Sequence, residues 1–448
     1  MIFLVICAII LLYGLIQYIK GRKGRGAFVF FFFLTGGFHF LNQKWCPVKY
    51  PDFAVVYLMA VALMNALKGN YIFFKPQIKI YKVVTLIGLY ITLEFVRTIV
   101  LKEELFTFAL ANYRTYIPLF SFWIVQELKK QEISHLFKQI AVITIISTVL
   151  FDLQPLLGMK ILQHANVGQG ANDIGVARYR NIPYLAYFFM LLATIRLDFS
   201  RWKSVVLVLL FLIAILLTQH RAVMIAYVFC VVLHLLITKK GGKIVQYGII
   251  GLVFSLFAGE AIMNRFENEA SNRSTTDDIK TVINLDYESA VYNEFENENG
   301  TFSFRVLLFT ERLDYMIKHP RYAVFGIGTR HEDSPKTRQQ FNFKLGTINH
   351  RTELIGQISS GDLAWVNPLM NFGFFGIALF IFLSWTITKF LYKRREISDV
   401  TMSAFLFYLL LILISFKNDH LYGNMQMFFI YLLIEYLRYF NVNYKKYS

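Results

Sequence analysis

Charge is scarce in this chain. Only 17% of its 448 residues are Asp, Glu, Lys or Arg, against 56% hydrophobic and a mean hydropathy of +0.48. A water-exposed surface of this size does not tolerate that balance, so water is not the main solvent. Cysteine is scarcer still: Cys7, Cys46 and Cys230 are widely spaced and two lie inside apolar runs, which suggests neither a disulfide framework nor a thiolate metal site. There is no P-loop, no His-Glu-x-x-His and no Cys-x-x-Cys. The outer loop Gln43–Asp52 has one acid, too few for an acidic metal pair. No metal and no cofactor is expected.

What is abundant is the apolar run. A span needs about 20 mostly apolar residues to cross the hydrocarbon core. With that window the candidates are roughly residues 2–19, 26–42, 53–68, 83–101, 108–127, 139–158, 182–196, 204–219, 222–238, 244–261, 364–387, 400–416 and 424–440. The expected fold is therefore an all-α polytopic membrane protein of about 12–14 transmembrane helices. With the N-terminus outside, the inner connections hold 24 of the 46 basic residues and the short outer ones only eight. That asymmetry orients the chain, because cytoplasmic loops retain Lys and Arg during insertion. It also accounts for the formal charge of +17 without nucleic acid as a partner. The first apolar run has no cationic head and no small-residue cleavage site before Gly21, so it reads as a span rather than a removed signal.

Hydropathy collapses once, over residues 262–363, between the tenth and eleventh spans. The chain thus divides into N-terminal helices 1–261, a large, partly helical outer loop 262–363 and C-terminal helices 364–448. From Arg265 to Gly300 the loop has nine acids and three bases; from Thr301 to Arg351 it has nine bases and four acids. The second half is the one suited to an anion. Ser334 within it is a natural position for an impermeant thiol label.

Several constellations could carry chemistry. Thr218-Gln-His-Arg-Ala222 is a tight outer turn between two spans, which sets Arg221 at the membrane surface. There it either snorkels to lipid headgroups or serves as a bidentate fork for a phosphate. Residues Ser303–His319 have apolar positions at Val306, Phe309, Leu313, Met316 and Ile317, the spacing of an amphipathic helix, and Pro320 should end it. Arg305, Arg312 and His319 are seven apart and would share one face, either solvated or anion-binding. Arg305 and His319 would stand about 21 Å apart along the axis, too far for one diphosphate to bridge. Gly326-Ile-Gly328 allows a tight turn with exposed backbone N–H groups beside Arg330 and His331. Asp362 would open the helix that re-enters the membrane, where capping alone could explain it. Arg97, Arg114, Arg178 and Arg180 add cations on the same side.

The arrangement from about Leu217 to Leu379 resembles the O-antigen polymerase and ligase superfamily, the Wzy-like and WaaL-like membrane glycosyltransferases. Leu217-Thr-Gln-His-Arg-Ala222 is similar to the family's leucine-threonine-x-serine-arginine-glycine/alanine turn, with histidine for serine at position 220. Phe304-Arg305 stands early in the loop helix. His319-Pro320 through Gly326-Ile-Gly328 is similar to the family's histidine-proline to glycine-x-glycine segment, and Gly361-Asp362 to Asn371-Phe-Gly373-Phe-Phe-Gly376 to its closing helix.

The resemblance implies an inverting, metal-independent glycan transfer from undecaprenyl diphosphate on the periplasmic face of the bacterial inner membrane. It makes Arg221 and Arg305 diphosphate-binding residues, with Arg312 and Arg330 as further candidates. His319, His331 and His350 compete as the family's acceptor-activating histidine, and Asp362 stands near where the family often has a histidine or asparagine, so that His319, His331 and Asp362 are the catalytic candidates. The implied partners are an undecaprenyl-diphosphate-linked glycan, an acceptor glycan and membrane lipid, with a chain-length regulator and a flippase alongside. Polymerisation of repeat units into O-antigen, capsular or exopolysaccharide is the leading expectation. A ligase that moves finished glycan to a lipid A core is the close alternative. A polysaccharide flippase or transporter is a second, disfavoured by the one-sided arginine-rich loop.

Overall fold

The structure is a computed structural model of the chain. It describes residues 2–70, 76, 78–163, 166–167, 179–183, 185–218, 220–239, 241–249, 251, 275–291, 302–346, 348–349, 354–358, 363–418 and 420–440. In chain order the helices are α1 Ile2–Ile19, α2 Lys23–Leu34, α3 Tyr50–Leu67, α4 Lys79–Val100, α5 Phe106–Tyr113, α6 Phe122–Val125, α7 Lys130–Leu157, α8 Ala186–Ile195, α9 Trp202–Thr218 and α10 Arg221–Thr238. They continue with α11 at 241–249, α12 Thr275–Ile283, α13 at 287–291, α14 Phe302–Lys318, α15 Pro320–Phe325, α16 Pro335–Gln340, α17 Val366–Tyr392, α18 Asp399–Ile414 and α19 Asn424–Phe440. Two minimal antiparallel ribbons complete the described residues. One pairs Asn166 with Arg180 and Val167 with Tyr179, the other Ile348 with Ile355 and Asn349 with Leu354.

Among the described residues five helices, α1, α3, α4, α7 and α17, are long and apolar enough to cross a bilayer, and shorter apolar helices include α8, α9, most of α10 and α18. The chain is an all-helical polytopic membrane protein. Its first helix shows why length matters more than a buried stripe in such a chain: α1 leaves Ile2, Ile9 and Leu12 exposed, the lipid-facing pattern. By contrast α19 is buried nearly all round from Met425 to Leu437, as the central member of a bundle must be. Phe188, Phe189, Phe407 and Phe429 interlock there edge to face.

Three expected spans differ from simple helices. The stretch 26–42 stops being α-helical at Leu34, because Gly36 and Gly37 take positive φ and turn the chain. The stretch 108–127 is broken into α5, a 3₁₀ segment Ile117–Ser121 and the single turn α6. Pro118 is the cause, since it lacks an N–H and disfavours the α conformation at Ile117. The break leaves Asn112 and Arg114 at the end of a short helix on the loop side of the bundle. In α17 the chain is non-helical at Gly373, with φ 62° and ψ −163°.

The loop is not packed as a separate body. Phe304, Leu307, Leu308 and Met316 of α14 share one buried cluster with Ile327, Phe341, Phe343, Leu345 and the first turns of α17 through Val366, Leu369 and Met370. The buried face of α14 is therefore not the expected one: Val306, Phe309 and Leu313 are only half-buried, and Ile317 is exposed. Arg312 occupies that buried face. Helix α14 stops at Lys318, and Pro320 begins α15 in its first turn, the position where its missing N–H costs nothing. Ser334, expected to be open, is buried as the N-cap of α16.

Candidate functional site

The site forms where α4, α5, the Gly326–His331 segment and the bend of α17 meet. The non-helical residue Gly373 leaves carbonyls of the preceding turn without intrahelical partners, and the loop fills them. Ile327 N donates to Met370 O at 2.8 Å and Gly328 N to Asn371 O at 3.0 Å. The glycine turn therefore does not present free N–H groups to an anion; two of them hold the loop to the span. All three glycines are demanded by the geometry. Their φ values are 75°, 80° and 62° at Gly326, Gly328 and Gly373. A Cβ at Gly326 would strike the Asn371 backbone, and one at Gly328 the Thr98 hydroxyl.

Helix α4 supplies the other side of the seam. Arg97 Nη2 donates to Gly326 O at 3.0 Å while its Nε donates to Glu94 Oε2 at 2.7 Å. Thr98 Oγ1 accepts from Thr329 N at 3.1 Å. Asn112 of α5 donates to Arg330 O, and Asn371 donates to Tyr116 Oη at 2.9 Å. Just past α4, Glu103 gathers three guanidinium groups: Arg321 at 2.7 Å, Arg97 at 3.9 Å and Arg330 at 4.0 Å. Glu104 accepts from the Ser334 hydroxyl at 2.5 Å. Sequence reasoning passed over Glu94, Glu103 and Glu104. The available signal was three acids at one end of a span in a basic protein, on the side that already collected arginines.

The expected site residues fall into different environments. Arg221 opens α10, and its side chain lies outside the described residues, as do Asp362, His350 and Arg178 and the side chain of Arg180. Arg305 is half-buried on the first turn of α14. Arg312 is 1% exposed, donates from Nη2 to Leu345 O and to Gly356 O at 3.1 Å, contacts Glu311 at 2.9 Å and lies over the Phe343 ring at 4.7 Å. Arg330 is also buried, donating from Nε to Ile327 O at 3.1 Å and from Nη1 to Gln340 Oε1. The stripe of Arg305, Arg312 and His319 is thus not one open face. An arginine fits the buried position because carbonyls, a carboxylate and an aromatic face satisfy its fork.

The two described loop histidines differ in their hydrogen bonds. His319 is exposed, stacks on Tyr315 with ring centroids 4.2 Å apart, and has Nδ1 2.8 Å from Tyr315 O. His331 is half-buried beside Phe108 and accepts at Nδ1 from Asp333 N at 3.1 Å. Burial pushes the His331 imidazole below its usual pKa; the Asp333 and Glu332 carboxylates oppose that, and the Lys49 and Arg114 cations add to it. It is therefore neutral at neutral pH. Arg114 is itself paired to Asp52 at 3.1 Å. The histidines are linked through Gln340, which donates to Tyr315 Oη and Tyr322 Oη and accepts from Arg330, the residue before His331.

Chemically, the arrangement offers the neutral His331 imidazole, the His319 ring and several guanidinium groups at the junction of loop and bundle, a setting suited to an anionic leaving group and a proton transfer. No curated protein matches the chain. Residues 206–381, which include α10, α14 to α16, the glycine turn and the bend of α17, match the O-antigen ligase family (Wzy_C), so the chain carries a domain of these membrane glycosyltransferases, the ligases and polymerases that act on lipid-linked glycans.

Proposed function

We propose that the chain polymerises undecaprenyl-diphosphate-linked oligosaccharide repeat units at the periplasmic face of the bacterial inner membrane, by inverting glycosyl transfer without a metal. The observation that supports this most directly is the seam of Gly326, Gly328, Gly373 and Arg97. It holds an arginine-rich loop against the end of α4 and against α5 and α17, and on this reading a prenyl-anchored diphosphate would meet the loop there. A departing diphosphate is stabilised by preplaced cations, with no covalent chemistry required of the protein. On this reading Arg221 and Arg305 meet the donor diphosphate, while a histidine or Asp362 takes the acceptor proton. On the same reading the loop 262–363 lies outside, between the tenth and eleventh of about 12–14 spans, and the neighbours in the pathway are a flippase and a chain-length regulator.

Deletion of the chain tests the reaction. Glycans one repeat long on the final acceptor are the expected phenotype; accumulation of full-length lipid-linked polymer would make the protein the ligase instead. Topology is tested by an impermeant thiol reagent at Lys318→Cys, an exposed position at the end of α14. Labelling is expected in intact spheroplasts. Labelling only after the cytoplasmic side is opened would overturn the orientation.

A further inference from the structure

Two of the three cysteines meet. The first turns of α1 dock on the connection that leads into α3, where the rings of Phe3 and Trp45 stack with centroids 4.8 Å apart. One helical turn on from Phe3, and next to Trp45, the Cys7 and Cys46 thiols are hydrogen-bonded to each other. Both are buried, at 1% and 4% exposure, and Tyr50 lies close to both sulfurs. In the sequence they are 39 positions apart, Cys7 inside an apolar run and Cys46 in a loop, so spacing alone suggests no disulfide. A thiol is a weak donor and a weak acceptor, and a hydrogen bond between two of them does little to hold two segments together. Among the described residues no third His, Cys, Asp or Glu joins the pair, as a structural metal site requires. Cys230 stands apart on α10, fully buried, with Sγ donating to Leu406 O at 3.5 Å.

We propose that Cys7 and Cys46 are a modification site, oxidised in the cell to a disulfide that ties α1 to the connection before α3. This rests on the orientation with the N-terminus outside, which sets both sulfurs on the periplasmic side, where disulfides form and persist. The co-reactant is a disulfide-carrying thiol oxidant. Cys46, on the connection, loses its proton to water, and its thiolate attacks one sulfur of the oxidant's disulfide. That bond breaks, a mixed disulfide forms, and the oxidant's released thiolate takes up a proton. Cys7, deprotonated in turn, attacks Cys46 Sγ and releases the oxidant's second thiolate, which is protonated. Two electrons and two protons thus pass from the pair to the oxidant, which departs as a dithiol. The sulfurs close from hydrogen-bond contact to the about 2.05 Å of an S–S bond, a short movement for side chains already facing each other. Because both are buried, the exchange belongs to insertion, before the first turns of α1 settle on Trp45.

The test counts thiols on the full chain. Cells are dissolved in SDS with a polyethylene-glycol maleimide, with or without prior reduction, so that every free thiol adds one tag to the band. Of the three cysteines only Cys230 should be tagged before reduction, and all three after it. Cys7→Ala and Cys46→Ala should each carry two tags in both lanes, because the released partner and Cys230 are then both thiols. Three tags on the parent without reduction would overturn the disulfide. A parallel sample, isolated membranes oxidised with copper phenanthroline, which crosses the bilayer, separates the two ways of failing. One tag there would mean that the sulfurs meet but face the cytoplasm, and the orientation would fall with the proposal. Three tags there would mean that they do not meet, which overturns the pairing and leaves the orientation to the label at Lys318→Cys.

Discussion

Gly373→Ala should abolish most activity while the bundle still inserts. At φ 62° and ψ −163° the residue occupies a region essentially reserved for glycine, which for any other residue costs on the order of 1–3 kcal/mol. Space adds to that cost. A Cβ would lie 2.6 Å from Gly326 N and from Val324 O and 2.7 Å from Ala323 O, all backbone atoms that no rotamer change can move aside. Relief requires either straightening α17 or lifting α15 away. Straightening returns the Met370 and Asn371 carbonyls to their own helix and releases Ile327 N and Gly328 N. Lifting α15 pulls Gly326 O from Arg97 and Thr329 N from Thr98. Either way His331 and Arg330 move relative to α4 and α5, and a misplacement of about 1 Å is enough to cost on the order of 10²-fold. Limited proteolysis separates this from general unfolding: cleavage should appear within 320–340 while the spans stay protected. Activity within a few-fold of the parent would show that the seam does not position the site.

That seam was legible only in part. Composition and the length of the apolar runs carried the architecture, because a bilayer imposes about 20 residues on any helix that crosses it, whatever the tertiary contacts. Pro320 correctly marked the end of α14, since proline acts on the backbone next to it. Gly326 and Gly328 were visible as a turn. Their partner Gly373 reads in the sequence as part of a regular span, and only the three-dimensional docking shows that two turns of backbone share hydrogen bonds across 43 positions of sequence. The same limit applies to Glu103, whose three arginine neighbours come from α4, α15 and the glycine turn. In α14 the ambiguity was chemical. Its buried face carries Phe304, Leu307, Leu308, Arg312 and Met316, and the arginine broke the apolar pattern so that a neighbouring stripe looked better. Periodicity weighs residues by polarity, and it cannot tell that Leu345 and Gly356 bring carbonyls to a buried fork.

Arg312→Ala is accordingly expected to act on the fold of the loop and not on donor affinity. The guanidinium is 1% exposed and bridges two segments: Nη2 reaches the carbonyls of Leu345 and Gly356 on either side of the β-ribbon, while Nη1 pairs with Glu311 at 2.9 Å. Glu311 in turn accepts from the backbone of Lys344 at 2.7 Å and of Leu345 at 3.1 Å, so both residues close on the same strand entry. Removing the fork strands two carbonyls, leaves the Glu311 carboxylate without its cation and opens a void against Phe343. Breaking a buried pair by deleting one partner costs about 3–5 kcal/mol. Arg312→Lys should recover only part of this, because an ammonium on a flexible stem does not reproduce the planar fork. The discriminating measurement pairs unfolding of the loop, followed by protease sensitivity on heating, with binding of lipid-linked substrate at a temperature where the variant is still folded. Loss of thermal resistance with donor binding preserved is the expected result. A variant as heat-resistant as the parent but with donor binding lost would place Arg312 on the diphosphate and show that its carbonyl partners yield to the substrate.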